Sequence, residues 1–155
     1  MPKEKKQSSV ISDNRRARHE YHVEDDIEAG VALCGTEVKS LRAHQSHLND
    51  AFARVENGEI FVYGWHIAPY EQGNRFNVDP MRKRKLLLHR REIRKLEQAV
   101  MKQGMALIPL KIYFKQAKVK VLLGLCRGKR DYDKRQTIKE RDHQREMAQA
   151  LKQRG

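Results

Sequence analysis

Apolar and polar residues alternate along this chain in short runs, the period of half-buried strands. Tyr21 and Val23 stand between polar neighbours as at a strand start, and short runs follow at residues 27–33 and 36–41, divided by Gly35. Residues 51–55 predict a further strand. Asn57-Gly58 then supplies a strong hairpin-turn signal, with residues 59–67 as the returning partner. Residues 69–80, which include Gly73, Asn74 and Asn77, read as a loop. Ile93, Leu96, Val100 and Met101 recur at i, i+3, i+7 and i+8, so a helix is predicted over 89–104, with Gly104 as its C-cap. Residues 107–114 and 118–125 predict a second hairpin turning at 115–117. In its second arm Val119, Val121 and Leu123 alternate with Lys118, Lys120 and Leu122.

Together these runs amount to about six short strands and one definite helix, a mainly β fold that closes best as a small antiparallel barrel. Barrels of this oligonucleotide-binding type are frequent among proteins that bind single-stranded nucleic acid. The expected organisation is a flexible segment 1–13, a barrel domain 14–126 and a tail 127–155. The tail is so charged that it cannot bury enough apolar surface to offset its ordering entropy, and alone it should be disordered. Its Ile138, Met147 and Leu151 nevertheless fall at helix-compatible offsets among basic residues, as in a segment that folds as a helix against a polyanion.

Composition sharpens this picture. The 155 residues carry a formal net charge of +13, which points first to nucleic acid and then to an anionic membrane surface. No apolar run approaches the roughly 20 residues of a membrane span, and the basic N-terminus lacks the apolar stretch of a signal peptide. A cytoplasmic location is therefore expected. Cys34 and Cys126 are far apart and form no Cys-x-x-Cys pair, so a disulfide framework and a zinc knuckle are both disfavoured. Both are read as small, half-buried strand residues, with pairing as the lesser alternative.

Catalytic chemistry finds little support. His44-x-x-His47 and His19-x-x-His22 have ligand spacing, but without further ligands such pairs are usually surface residues. Gly124-x-x-x-Gly128-Lys129 is one residue short of a phosphate loop, and Arg130 stands where a hydroxyl should hold magnesium. Glu24, Asp25, Asp26 and Glu28 are the one acidic cluster, from which a metal-dependent nuclease could be imagined. Adjacent strand positions point to opposite faces, however, and a solvated turn explains the cluster better. No metal and no cofactor is expected.

The positive charge is concentrated in three runs: Asn14-Arg15-Arg16-Ala17-Arg18-His19, Arg82-Lys83-Arg84-Lys85 with His89-Arg90-Arg91 beyond it, and 127–135. One such run is usually a solvated face. Three in a small barrel point to RNA or DNA, bound with steep salt dependence. RNA is favoured because no recognition-helix module is present and barrels of this kind suit irregular folded RNA. His19, Tyr21, Trp65 and Tyr70 are candidates for base stacking, although Trp65 fits the core equally well.

Several longer motifs resemble one family. They are Asn14-Arg15-Arg16-Ala17-Arg18-His19-Glu20-Tyr21, Glu28-Ala29-Gly30, Gly35-Thr36-Glu37-Val38-Lys39-Ser40-Leu41-Arg42, Arg84-Lys85-Leu86-Leu87-Leu88, the segment 113–117, and Gly128-Lys129-Arg130-Asp131-Tyr132-Asp133-Lys134-Arg135. In this order they resemble the SsrA-binding proteins, or small protein B family, of bacterial trans-translation, over nearly the whole chain. The resemblance implies an oligonucleotide-binding barrel with flanking helices and an unstructured tail. It also implies specific binding to the tRNA-like domain of transfer-messenger RNA and entry with it into stalled ribosomes. The small subunit and its rRNA are then partners, elongation factor Tu and alanyl-tRNA synthetase are indirect ones, and a monomer is expected.

Carried over by resemblance, Asn14, Glu28 and Leu88 meet the tRNA-like domain and Lys120 is a basic contact on the last strand. Arg16, Arg18, His19, Lys39 and Arg42, which lie within the same motifs, complete the expected RNA-binding set. Glu28 is the informative member, because a carboxylate accepts from a base amino group whereas Arg and Lys mainly hold phosphates. Arg127, Lys129, Arg130, Tyr132, Asp133, Lys134, Arg135, Lys139 and Leu151 are expected to serve the ribosome, with the tail lying as a helix in the empty mRNA channel. The chain departs from the family at Tyr132, where a His is frequent, and at Ala150, where bulkier apolar residues are frequent. The rival reading is a generic oligonucleotide-binding-fold RNA-binding or ribosomal protein, with broad RNA affinity and a dispensable tail.

Overall fold

A computed structural model describes residues 9–72 and 77–129. Its strands are β1 (Val10–Asp13), β2 (Tyr21–Val31), β3 (Ser46–His47), β4 (Phe52–Glu56), β5 (Glu59–Tyr63), β6 (His66–Ile67), β7 (Arg84–Leu87), β8 (Ala106–Lys115) and β9 (Lys118–Gly128). The helices are α1 (Arg15–Glu20), α2 (Gly35–Arg42) and α3 (Arg90–Gln103). The main sheet runs β1-β8-β4-β5-β7-β2-β9, and β9 pairs back onto β8. Strands β8, β4, β5, β7, β2 and β9 thus close into the expected antiparallel barrel, with β1 as an added strand on β8.

Both predicted hairpins form. Glu56 pairs with Glu59 across Asn57-Gly58, and both turn residues have positive φ, as a two-residue turn matched to strand twist requires. Lys115 pairs with Lys118 across Gln116 and Ala117, whose φ angles are 51° and 64°. That turn uses the left-handed region without a glycine. Inside the barrel, Ile60, Val62, Leu86, Ile112, Val121 and Leu123 are buried together with Trp65, Leu41 and Ile93. Helix α3 closes one side of the barrel through Ile93, Leu96 and Val100 and ends at Gly104, φ 63°. Met101 does not join that face, being 77% exposed.

Four expectations need correction. Residues 36–41 form helix α2, and its buried residues Glu37, Ser40 and Leu41 are spaced i, i+3, i+4 on one face. Glu37 Oε1 accepts from the Cys34 backbone N–H at 2.9 Å, so Cys34 caps a helix rather than occupying a strand. Cys126 does lie in β9 but is fully buried, and both thiols are free. Val10–Asp13, within the segment expected to be loose, pair with β8. Of the two readings of Trp65 the core one holds: it is fully buried and donates to Ser46 Oγ at 2.7 Å, which leaves no face for a base. No helix among the described residues is long and apolar enough to cross a membrane.

Candidate nucleic-acid interface

The strand register carries the site. Val121 pairs with Ala29 on β2 and with Ile112 on β8, and all three are buried, so they point inward. By alternation, Lys120, Leu122, Glu28, Gly30 and Tyr113 lie on the outer surface. Lys120 stands directly opposite both Gly30 and Tyr113. A groove of about 670 Å³ runs beside them, bounded by β2, β7, β9 and the start of α3, and Glu28, Leu88 and Lys120 all line it. Three residues expected to bind RNA, far apart in sequence, therefore converge. Leu87, exposed, packs its Cβ over Gly30, where an added Cβ would meet it at 3.3 Å. The absence of a side chain at Gly30 keeps that floor low.

The Glu28 carboxyl is held below the ordinary carboxylate range, chiefly by a hydrogen bond from the Tyr113 hydroxyl and further by Lys115 and Lys120, against partial desolvation. Lys115 Nζ lies 3.3 Å from Glu28 Oε2. An ionised carboxylate has about four acceptor positions, and the Lys115 bond fills one of them. Lys85 sits on the opposite wall, bonded to Glu59 at 2.9 Å, with His89 and Arg90 nearby.

A second depression contains Asn14 and Arg16. Asn14 is buried and its side chain bonds at both ends: Oδ1 accepts from the Ala17 N–H at 3.1 Å and Nδ2 donates to the Pro109 carbonyl at 3.0 Å. It caps α1 and bridges the irregularity that Pro109 introduces into β8. It holds α1, which presents Arg16, Arg18 and His19 at the surface. Arg16 bonds Glu20 and Asp50, and Arg18 lies 3.4 Å from Asp13. Lys39 and Arg42 end α2, Lys39 over the Tyr70 ring at 5.4 Å. They are not part of the Glu28 groove.

Residues 82–85 of the second basic run are committed to ion pairs within the fold. Arg84 is fully buried, donating to Glu37 Oε2 at 2.6 Å, the Trp65 carbonyl at 2.5 Å and the Pro80 carbonyl at 3.1 Å. Arg82 also binds Glu37, and Lys83 reaches Glu56. Burial alone would raise the Glu37 carboxyl, but donors from Arg82, the Cys34 N–H and Arg84 outweigh it and hold the group below its ordinary value.

Arg127, assigned above to the tail, lies buried in β9. It binds Glu24, and its two Nη atoms donate to the Gln103 carbonyl at 2.9 Å and the Gln103 side chain at 3.1 Å. This explains the acidic cluster in part: Glu24 is an ion-pair partner, while Glu28 belongs to the groove on another side. Lys129 is exposed. Arg130, Tyr132, Asp133, Lys134, Arg135, Lys139 and Leu151 lie outside the described residues. Sequence reasoning did not single out Lys85, Lys115 or Tyr113 as site residues. The signal for Tyr113 was its register with Lys120 across the short turn.

The family described as "SmpB protein" matches residues 11–153.

The chain belongs to the SmpB protein family.

An SsrA-binding protein of Clostridium perfringens (strain 13 / Type A) is 56% identical over 150 residues, 97% of this chain and 96% of that protein. One from Desulforamulus reducens is 60% identical over 146 residues, covering 94% and 91%. A solved structure described as "tmRNA-SmpB: a journey to the center of the bacterial ribosome" superposes with a TM-score of 0.65. Its sequence identity is 55%, over 77% of this chain and 84% of that one. The fold and the order of motifs that suggested the SmpB family are thus shared with it along most of the chain.

Proposed function

We propose that this protein is a non-catalytic adaptor that binds the tRNA-like domain of transfer-messenger RNA and accompanies it into stalled ribosomes for nascent-chain tagging. The observation that carries the reading is the convergence of Glu28, Leu88 and Lys120 in one outer groove of the barrel, in a member of the SmpB family. Glu28 accepts from a base amino group, Lys120 neutralises phosphate, and Leu87 and Leu88 supply apolar contact. Residues 129–155 follow the barrel as a basic segment for the small subunit, occupying the empty mRNA channel as a helix that folds on binding. Its working side chains begin at Lys129, since Arg127 is anchored in β9. Elongation factor Tu and alanyl-tRNA synthetase act on the same RNA, and the setting is the cytoplasm.

The test is binding to the isolated tRNA-like domain at about 150 mM salt with excess ordinary tRNA as competitor. Retained binding supports the adaptor. Binding erased by competitor would leave only a basic barrel with general RNA affinity.

A further inference from the structure

Gly30 stands at a junction in the sheet. It pairs with Leu87 on β7 and with Lys120 on β9, so three strands meet there with no side chain at the centre. Gly30, Leu87 and Lys120 line the Glu28 groove, and the same three residues line a second depression of about 390 Å³ toward Val31. Gly30 is thus a low saddle between the two. The walls of the second depression are Val31, Leu33, Val38, Leu87 and Val119. Val31 and Val119 have the inward parity of Ala29 and Val121, but at this end of the barrel they are only half-buried, and Leu87 is 53% exposed. Its charged lining residues are two lysines, Lys118 and Lys120. Lys115 and Lys85 are paired with Glu28 and Glu59, whereas Lys118 and Lys120 make no direct salt bridge among the described residues.

We propose that this depression is a second RNA subsite, which takes one unstacked base of the same tRNA-like domain. This rests on the Glu28 groove being the RNA site. The base lays its face on the valine and leucine side chains, and its flanking phosphates meet Lys118 and Lys120. A stacked stem does not suit the place, because the faces of its bases are covered by their neighbours. An unstacked nucleotide exposes an apolar face together with negative charge. Both are matched here, by apolar walls and by lysines with no carboxylate among the lining residues. The volume falls within the roughly 300–1,000 Å³ of small-ligand clefts. No lining side chain is a hydrogen-bond acceptor, so the subsite holds a base by contact and charge rather than by its identity. The RNA strand passes over Gly30, from a groove that reads a base edge through Glu28 to a depression that accepts any base.

The experiment titrates the full wild-type chain, methyl-labelled at Val and Leu, with the tRNA-like domain and follows it by NMR. Methyls of Val31, Leu33 and Val119 are expected to move upfield in the ring current of the base lying on them, at the same RNA equivalents as Leu88 in the Glu28 groove. Lys118→Ala, at an exposed turn position, should reduce the slope of log Kd against log salt by about 0.7–0.9, the loss of one phosphate contact. Movement of Leu88 with Val31, Leu33 and Val119 unmoved would overturn the subsite and leave the groove intact, as would an unaltered salt slope. Leu88 unmoved in a protein that binds the RNA would instead defeat the reading of the groove itself, which is a different result. Shifts of Val31, Leu33 and Val119 that follow protein concentration in the absence of RNA would place a second copy of the chain in the depression and overturn the proposal.

Discussion

Arg84 and Glu37 form an ion pair at 2.6 Å with almost no solvent on either side chain. The guanidinium also lies 5.1 Å over the Trp65 ring, so helix α2, strand β7 and the segment leading to β6 are joined at one point. Removing one partner leaves the other charged and buried. Glu37→Gln is expected to destabilise the protein by about 3–5 kcal/mol, read by urea denaturation monitored through Trp65. A loss below about 1 kcal/mol would show the network to be dispensable.

The same carboxyl contributes to the acid limit of stability. Because Glu37 is held below its ordinary value in the fold, its contribution is complete above the unfolded-state value of about 4.3 and is lost as pH falls from there through the lower folded value. The urea midpoint should fall below pH of about 4.3, and Glu37→Gln should flatten that limb. An unchanged acid limb in the variant would assign the effect to other carboxylates.

RNA binding and ribosome function should separate. Glu28→Arg places a cation beside Lys115 and Lys120 and removes the acceptor, so affinity for the tRNA-like domain should fall by well over tenfold. Lys134→Ala with Arg135→Ala should bind the RNA normally yet fail to support tagging in a reconstituted translation assay. Equal losses of RNA affinity would contradict the division.

Arg127 tests where the barrel ends. Arg127→Met removes the bonds to Glu24 and Gln103 and is expected to lower stability by about 1.5–3 kcal/mol, seen as a reduced Tm. An unaltered Tm with impaired ribosome activity would return Arg127 to the tail.

The β8–β9 turn holds Ala117 at φ 64°, a region that disfavours a residue with a Cβ by about 1–2 kcal/mol. Ala117→Gly should therefore stabilise the protein slightly, after the entropy of the unfolded glycine takes back about 0.4–1 kcal/mol. A lower Tm in that variant would mean that the Ala117 methyl makes contacts worth more than the strain.

The two hairpins, helix α3 and the barrel class were legible in the sequence because each depends on local rules: alternation, a turn dipeptide, a 3.6-residue period and a glycine cap. The charge and the motif order likewise pointed to RNA and to the family. Helix α2 was missed because its buried face includes Glu37 and Ser40, which a hydrophobic pattern cannot register. Burial along the basic runs is likewise set by distant partners rather than by local sequence. Arg84 looks like its neighbours there, yet its partner lies 47 positions away, and that of Arg127 lies 103 away. Tertiary closure alone decided which basic residues face solvent and which hold the barrel together. It also brought Glu28, Leu88 and Lys120 into one groove, because strands β7, β2 and β9, far apart in sequence, lie side by side in the sheet.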